Sequence, residues 1–115
     1  MSTHLNEAEI TAFHARGYHT PVRVMSLDEA DDLRRKFEAI DGQFGAEEGL
    51  RLRTDAHLLY QWAWDVINDP RIVDPITDVL GPNVLLWSLN WFIKEPFDGK
   101  FVTFHQDATY WGLEP

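Results

Sequence analysis

Up to about residue 82 the apolar positions recur at helical spacing. Beyond it they run almost without interruption, as in a strand. Asn6 can cap a first helix, with Glu9 three residues on as its capping-box partner. Ile10, Phe13 and His14 follow at helical spacing, and Gly17 ends the element. Residues 18–24 read as a short strand in which Pro21 suits an edge position. Ser26 with Glu29 forms a second capping box. Leu27, Ala30, Leu33, Phe37 and Ile40 then make one apolar stripe opposite a charged, solvated face. Gly42, Gly45 and Gly49 predict a loop. A third helix is expected over residues 56–67, carrying Leu58, Leu59, Trp62, Trp64, Val66 and Ile67 and packing on a sheet. Asp69–Pro70, a cap followed by proline at the first helical position, opens a short helix that bends or restarts near Pro75. It stops at Gly81–Pro82.

After Gly81 the period changes. Residues 84–94 (VLLWSLNWFIK) predict a long strand, 95–100 a turn, and 101–104 a second strand that leads into His105-Gln106-Asp107. The expected class is therefore α+β, with helices over roughly 6–80 and strands over roughly 84–111.

Composition narrows the class of function. The chain has 115 residues, 44% hydrophobic and 13% aromatic, enough for one small domain with a core. Its formal net charge of -9 argues against nucleic acid or an anionic membrane surface as partner. There is no cysteine, which excludes disulfides and thiol catalysis. The longest apolar stretch, around residues 84–93, is too short to span a bilayer, and the opening residues lack a basic region followed by an apolar run. The expectation is a soluble, cytoplasmic protein.

The chemical candidate is His105-x-Asp107. Residues two apart on a strand share a face, so an imidazole and a carboxylate there can bind one metal together. A nitrogen–oxygen site with open positions suits Fe(II), whose usual shell is two histidines and one carboxylate. The bare motif is weak, since a chain of this composition contains about half such a pair by chance. His4, His14, His19 and His57 have no neighbours at metal-ligand spacing and read as ordinary histidines.

The neighbourhood adds specificity. Residues 85–96, LLWSLNWFIKEP, followed by His105-Gln106-Asp107-Ala108-Thr109-Tyr110-Trp111-Gly112, closely resemble the phytanoyl-CoA dioxygenase family. Asp69-Pro70-Arg71-Ile72 and Leu80-Gly81-Pro82 also resemble the helix that precedes this stretch in that family. The resemblance implies the N-terminal part of a single domain, 1–115, with helices and then the first strands of a double-stranded β-helix, or jelly roll. It implies an oxygenase that uses Fe(II), with 2-oxoglutarate as cosubstrate, to hydroxylate a small organic molecule. His105 and Asp107 match the first two iron ligands. Asn90 and Trp91 fall on the strand that carries a cosubstrate-contacting side chain, with packing in the core the competing role for Trp91. Tyr110 and Trp111 are candidates for the substrate pocket.

The family's third ligand and its 2-oxoglutarate arginine come after the His-x-Asp motif, and no residue here matches either. The chain alone is therefore expected to be inactive. The expected partner is a small molecule rather than nucleic acid or membrane. Uncovered strand edges of the truncated fold would favour self-association. The rival reading is a non-catalytic fragment or a binding module that reuses the jelly-roll fold.

Overall fold

In the computed structural model the described residues form, in order, α1 (Glu7–Arg16), α2 (Leu27–Leu52), a short 3-10 turn (Ala56–Leu58), α3 (Gln61–Ile67) and α4 (Pro70–Leu80). The structure describes residues 4–52, 54–94, 96–99, 101–107 and 111.

The caps fall where the sequence places them. The Asn6 carboxamide oxygen accepts from the Glu9 amide at 3.1 Å, and Glu9 accepts from the Asn6 amide at 2.8 Å. Gly17 closes α1 in the left-handed region, φ 80°, which costs glycine nothing and other residues a clash with the carbonyl. Ser26 and Glu29 form the same reciprocal pair at the start of α2. The Asp69 carboxylate accepts from the Arg71 amide at 2.8 Å, with Pro70 opening α4. α4 continues through Pro75, whose ring is buried, and ends at Gly81.

Arg71 joins two helix starts. It donates to Asp69 at the cap of α4 and to Glu29 in the capping box of α2, the latter at 2.8 Å. The Ser26 amide and the Arg71 guanidinium together hold the Glu29 carboxyl down to about 2. Asp69 is likewise lowered, chiefly by Arg71. At the chain's start, His4 and the Leu5 amide both bond Asp78 on α4, at 2.9 and 2.7 Å.

Four expectations are corrected. Among the described residues the predicted first strands of a jelly roll are not formed, so the class there is helical rather than α+β. Residues 84–94 and 101–104 carry no ladder among the described residues, and the one β contact is an isolated antiparallel bridge, Thr54 to Asn90. A β-type run becomes a strand only when a neighbour completes its hydrogen bonds, and two short runs alone make a marginal hairpin. Residues 18–24 likewise form no strand. α2 runs straight through Gly42, Gly45 and Gly49. Each glycine weakens a helix by about 1 kcal/mol relative to alanine, but it keeps its N–H and leaves the ladder intact, unlike proline. Finally, the helix expected over 56–67 is interrupted at Leu59–Tyr60, where Tyr60 is extended (φ -125°, ψ 122°). No glycine or proline marks that break.

The core is thin. Among the described residues only Ile40, Ala56, Ala63 and Pro75 are buried. The radius of gyration is 16.3 Å, against about 13 Å for a compact domain of this length. Much of residues 84–104 lies at the surface, including Leu85 (87% exposed) and Phe104 (110%). An aromatic cluster packs that stretch against the helices. Trp91 stacks on Phe37 of α2, with centroids 4.9 Å apart and planes at 17°, and meets Trp62 of α3 edge-on at 4.9 Å and 89°. Among the described residues no helix is long and apolar enough to cross a membrane.

Candidate functional site

His105 and Asp107 stand together at the surface. His105 Nε2 lies 3.2 Å from Asp107 Oδ1, with 38% and 74% of the two side chains exposed. They converge without a strand, through a turn at Asp107. His105 Nδ1 is 2.7 Å from the carbonyl oxygen of Thr103. A carbonyl only accepts, so Nδ1 carries a proton and donates. The other ring nitrogen, Nε2, faces the Asp107 carboxylate.

The donor set fits a first-row divalent ion. Metal–donor bonds of about 2.1 Å at right angles put two donors roughly 3 Å apart. A ring whose other nitrogen is fixed by a backbone carbonyl is the usual support for a ligating histidine. No group of three His, Cys, Asp or Glu residues with metal-binding geometry occurs among the described residues.

Asn90 and Trp91 are held differently. The Asn90 amide nitrogen donates to Ser88 Oγ at 3.1 Å, and the residue is exposed. Trp91 is half-buried in the aromatic cluster, and its indole N–H is buried with no hydrogen-bond partner among the described residues. Trp111 lies 5.6 Å from Trp87, centroid to centroid, and is exposed at 41%. Tyr110 lies outside the described residues. His57 is half-buried, stacked on Trp64 at 6.4 Å, beside a cavity of about 520 Å³ bounded by Ile67, Val73, Val84 and Leu86.

One residue that bonds the stretch carrying Asn90 was not singled out from the sequence. Asp55 sits in the left-handed region (φ 53°, ψ 34°) and bonds the stretch that carries Asn90. Its position ahead of a helical pattern suggests an ordinary cap, so no local signal discloses the long-range role.

The sequence pattern of the phytanoyl-CoA dioxygenase family matches residues 13–115, and the chain belongs to that family. This is a family of dioxygenases, and the matched range spans positions 105 and 107. A comparison with curated proteins found no match, and neither did a comparison with solved structures.

Proposed function

We propose that this chain supplies the His-x-Asp metal ligands of an Fe(II)- and 2-oxoglutarate-dependent oxygenase that hydroxylates a small organic molecule. The observation that carries the reading is the His105–Asp107 pair, with donors 3.2 Å apart and the ring fixed by Thr103. Family membership supports it, because phytanoyl-CoA dioxygenase relatives generally depend on Fe(II) and 2-oxoglutarate.

Bound iron would supply the activation of dioxygen, with 2-oxoglutarate as the source of electrons. The chain's own residues hold and orient. His105 offers Nε2 and Asp107 offers Oδ1, while the Thr103 carbonyl keeps the imidazole in one tautomer. Asp107 places a carboxylate where family relatives that transfer halogen have a small residue, which favours hydroxylation. Of the two cosubstrate candidates, Asn90 takes the contact, because its carboxamide is exposed. Trp91 has both faces of its role filled by Phe37 and Trp62 and serves packing. Trp111, beside Trp87, remains a candidate for the substrate side.

The test is binding rather than turnover. Fe(II) and 2-oxoglutarate are added together without oxygen, and the visible charge-transfer band of an iron-bound 2-oxo acid is recorded. The reading expects a band that His105→Ala and Asp107→Ala each remove. No band in the unaltered chain at saturating concentrations, or a band that survives both changes, would refute it.

A further inference from the structure

We infer that Asp55 is a positioning residue for the proposed cosubstrate contact, holding Ser88–Trp91 in place from 33 positions earlier in the chain. The inference rests on the reading of Asn90 given above. Four interactions carry it. Asp55 Oδ1 accepts from the Ser88 hydroxyl at 3.1 Å and from the Leu89 amide at 3.2 Å. The Asp55 amide donates to the Leu89 carbonyl at 2.7 Å, and Thr54 pairs with Asn90 in the isolated antiparallel bridge. A relay results: Asn90 Nδ2 donates to Ser88 Oγ, which donates to Asp55. The carboxamide of Asn90 is thereby oriented through a hydroxyl by a carboxylate it does not touch.

The residue type suits this task in three ways. Asp55 occupies the cap position of the 3-10 turn Ala56–Leu58, where an aspartate ordinarily turns its carboxylate onto its own helix, yet it makes no such bond. Its oxygen goes to the 88–89 stretch instead. The left-handed backbone at φ 53° is one that aspartate and asparagine tolerate better than other non-glycine residues. That conformation presents the Asp55 amide to Leu89 while its carbonyl accepts from Leu58 at 2.9 Å. In addition, the stretch so held has no strand neighbours among the described residues, so its placement depends on this tie and on the Trp91 cluster. Asp55 holds Ser88 and Leu89 and the aromatic cluster holds Trp91, which leaves Asn90 little freedom between them.

The experiment compares Asp55→Ala, Asp55→Asn and Ser88→Ala in the full chain by two readouts. The first is circular dichroism: two indoles in edge contact give an exciton couplet, and the share belonging to Trp62–Trp91 is defined as what Trp91→Phe removes. The second is the affinity for 2-oxoglutarate in the presence of Fe(II). Asp55→Ala should lose that share of the couplet and weaken 2-oxoglutarate binding roughly tenfold, the effect of about two lost hydrogen bonds. Ser88→Ala should leave the couplet and weaken binding less. Asp55→Asn keeps the acceptor and the left-handed preference and should restore both readouts. A helical signal that still melts cooperatively in Asp55→Ala separates repositioning from unfolding. A couplet unchanged in Asp55→Ala overturns the positioning role. A couplet lost with unchanged affinity overturns the link from Asp55 to the cosubstrate. If the unaltered chain does not bind 2-oxoglutarate, the proposed function fails, while the couplet still decides whether Asp55 places the stretch.

Discussion

Replacing Trp91 with alanine removes the aromatic contact between residues 84–94 and helices α2 and α3. The indole makes two ring contacts, a stack on Phe37 and an edge contact with Trp62, each at 4.9 Å. Aromatic pairs contribute about 0.5–1.5 kcal/mol apiece beyond their burial. A fully buried tryptophan cut to alanine costs about 3–5 kcal/mol. Trp91 is half-buried, which puts the expected loss near the lower end, about 3 kcal/mol. Trp91→Phe keeps the stack and also removes an indole N–H that is buried with no acceptor among the described residues, so its loss should be about 1 kcal/mol. Phe92, the next residue, is 81% exposed, and Phe92→Ala should stay within about 0.5 kcal/mol of the unaltered chain. A chain of this length has a total stability of roughly 6–17 kcal/mol, so the first change removes a large share and the last almost none. Urea denaturation followed by the helical circular dichroism signal measures all three. Equal midpoints for Trp91→Ala and Phe92→Ala would show that Trp91 does not anchor the stretch and would refute the packing argument.

Acid should unfold the chain partly through Glu29, whose carboxyl sits at about 2 instead of 4.5 because the Ser26 amide and Arg71 bond it. A lowered carboxyl stabilises above its ordinary value and loses that contribution as pH falls toward the folded value, so Glu29→Gln should flatten stability against pH in that window. His4 is raised above 6.5, chiefly by its hydrogen bond to Asp78. Its contribution is full below 6.5 and fades as pH rises through the higher folded value, and His4→Gln should flatten that limb in the same urea series. Gly17→Ala meets no atom within 4 Å of the added carbon. It should therefore cost only the left-handed backbone penalty, about 1 kcal/mol by thermal melting, and a loss near zero would contradict that conformation. The exposed apolar run should make the chain self-associate in light scattering, and Leu85→Lys with Phe104→Lys should reduce the particle size. A monodisperse unaltered monomer would rule this out.

How much was legible differs by the range of the interaction involved. The starts of α1, α2 and α4 depend on residues three or fewer positions apart, and Asn6–Glu9, Ser26–Glu29 and Asp69–Pro70 could be read directly. The run VLLWSLNWFIK discloses β-type composition but not whether a partner strand is present to pair with it, and it forms no ladder among the described residues. The glycines of α2 do not end it, because propensity is only a weak prior within a long helix. The His105-x-Asp107 spacing predicted proximity through strand alternation, whereas the pair meets through a turn, with the Thr103 carbonyl as a support that no motif contains. Asp55 and the Arg71 junction with Glu29 were hidden because their partners lie 33 to 42 residues away.

The claim that His105 and Asp107 form the metal site is tested most directly by site-resolved metal binding. Mn(II), a paramagnetic stand-in for Fe(II), is titrated at low concentration while the imidazole signals of the five histidines are followed by nuclear magnetic resonance. The account predicts that the His105 signals broaden first, that those of His4, His14, His19 and His57 persist, and that Asp107→Asn shifts the titration to higher metal concentration. Broadening that begins at another histidine, or that is indifferent to Asp107→Asn, would contradict it.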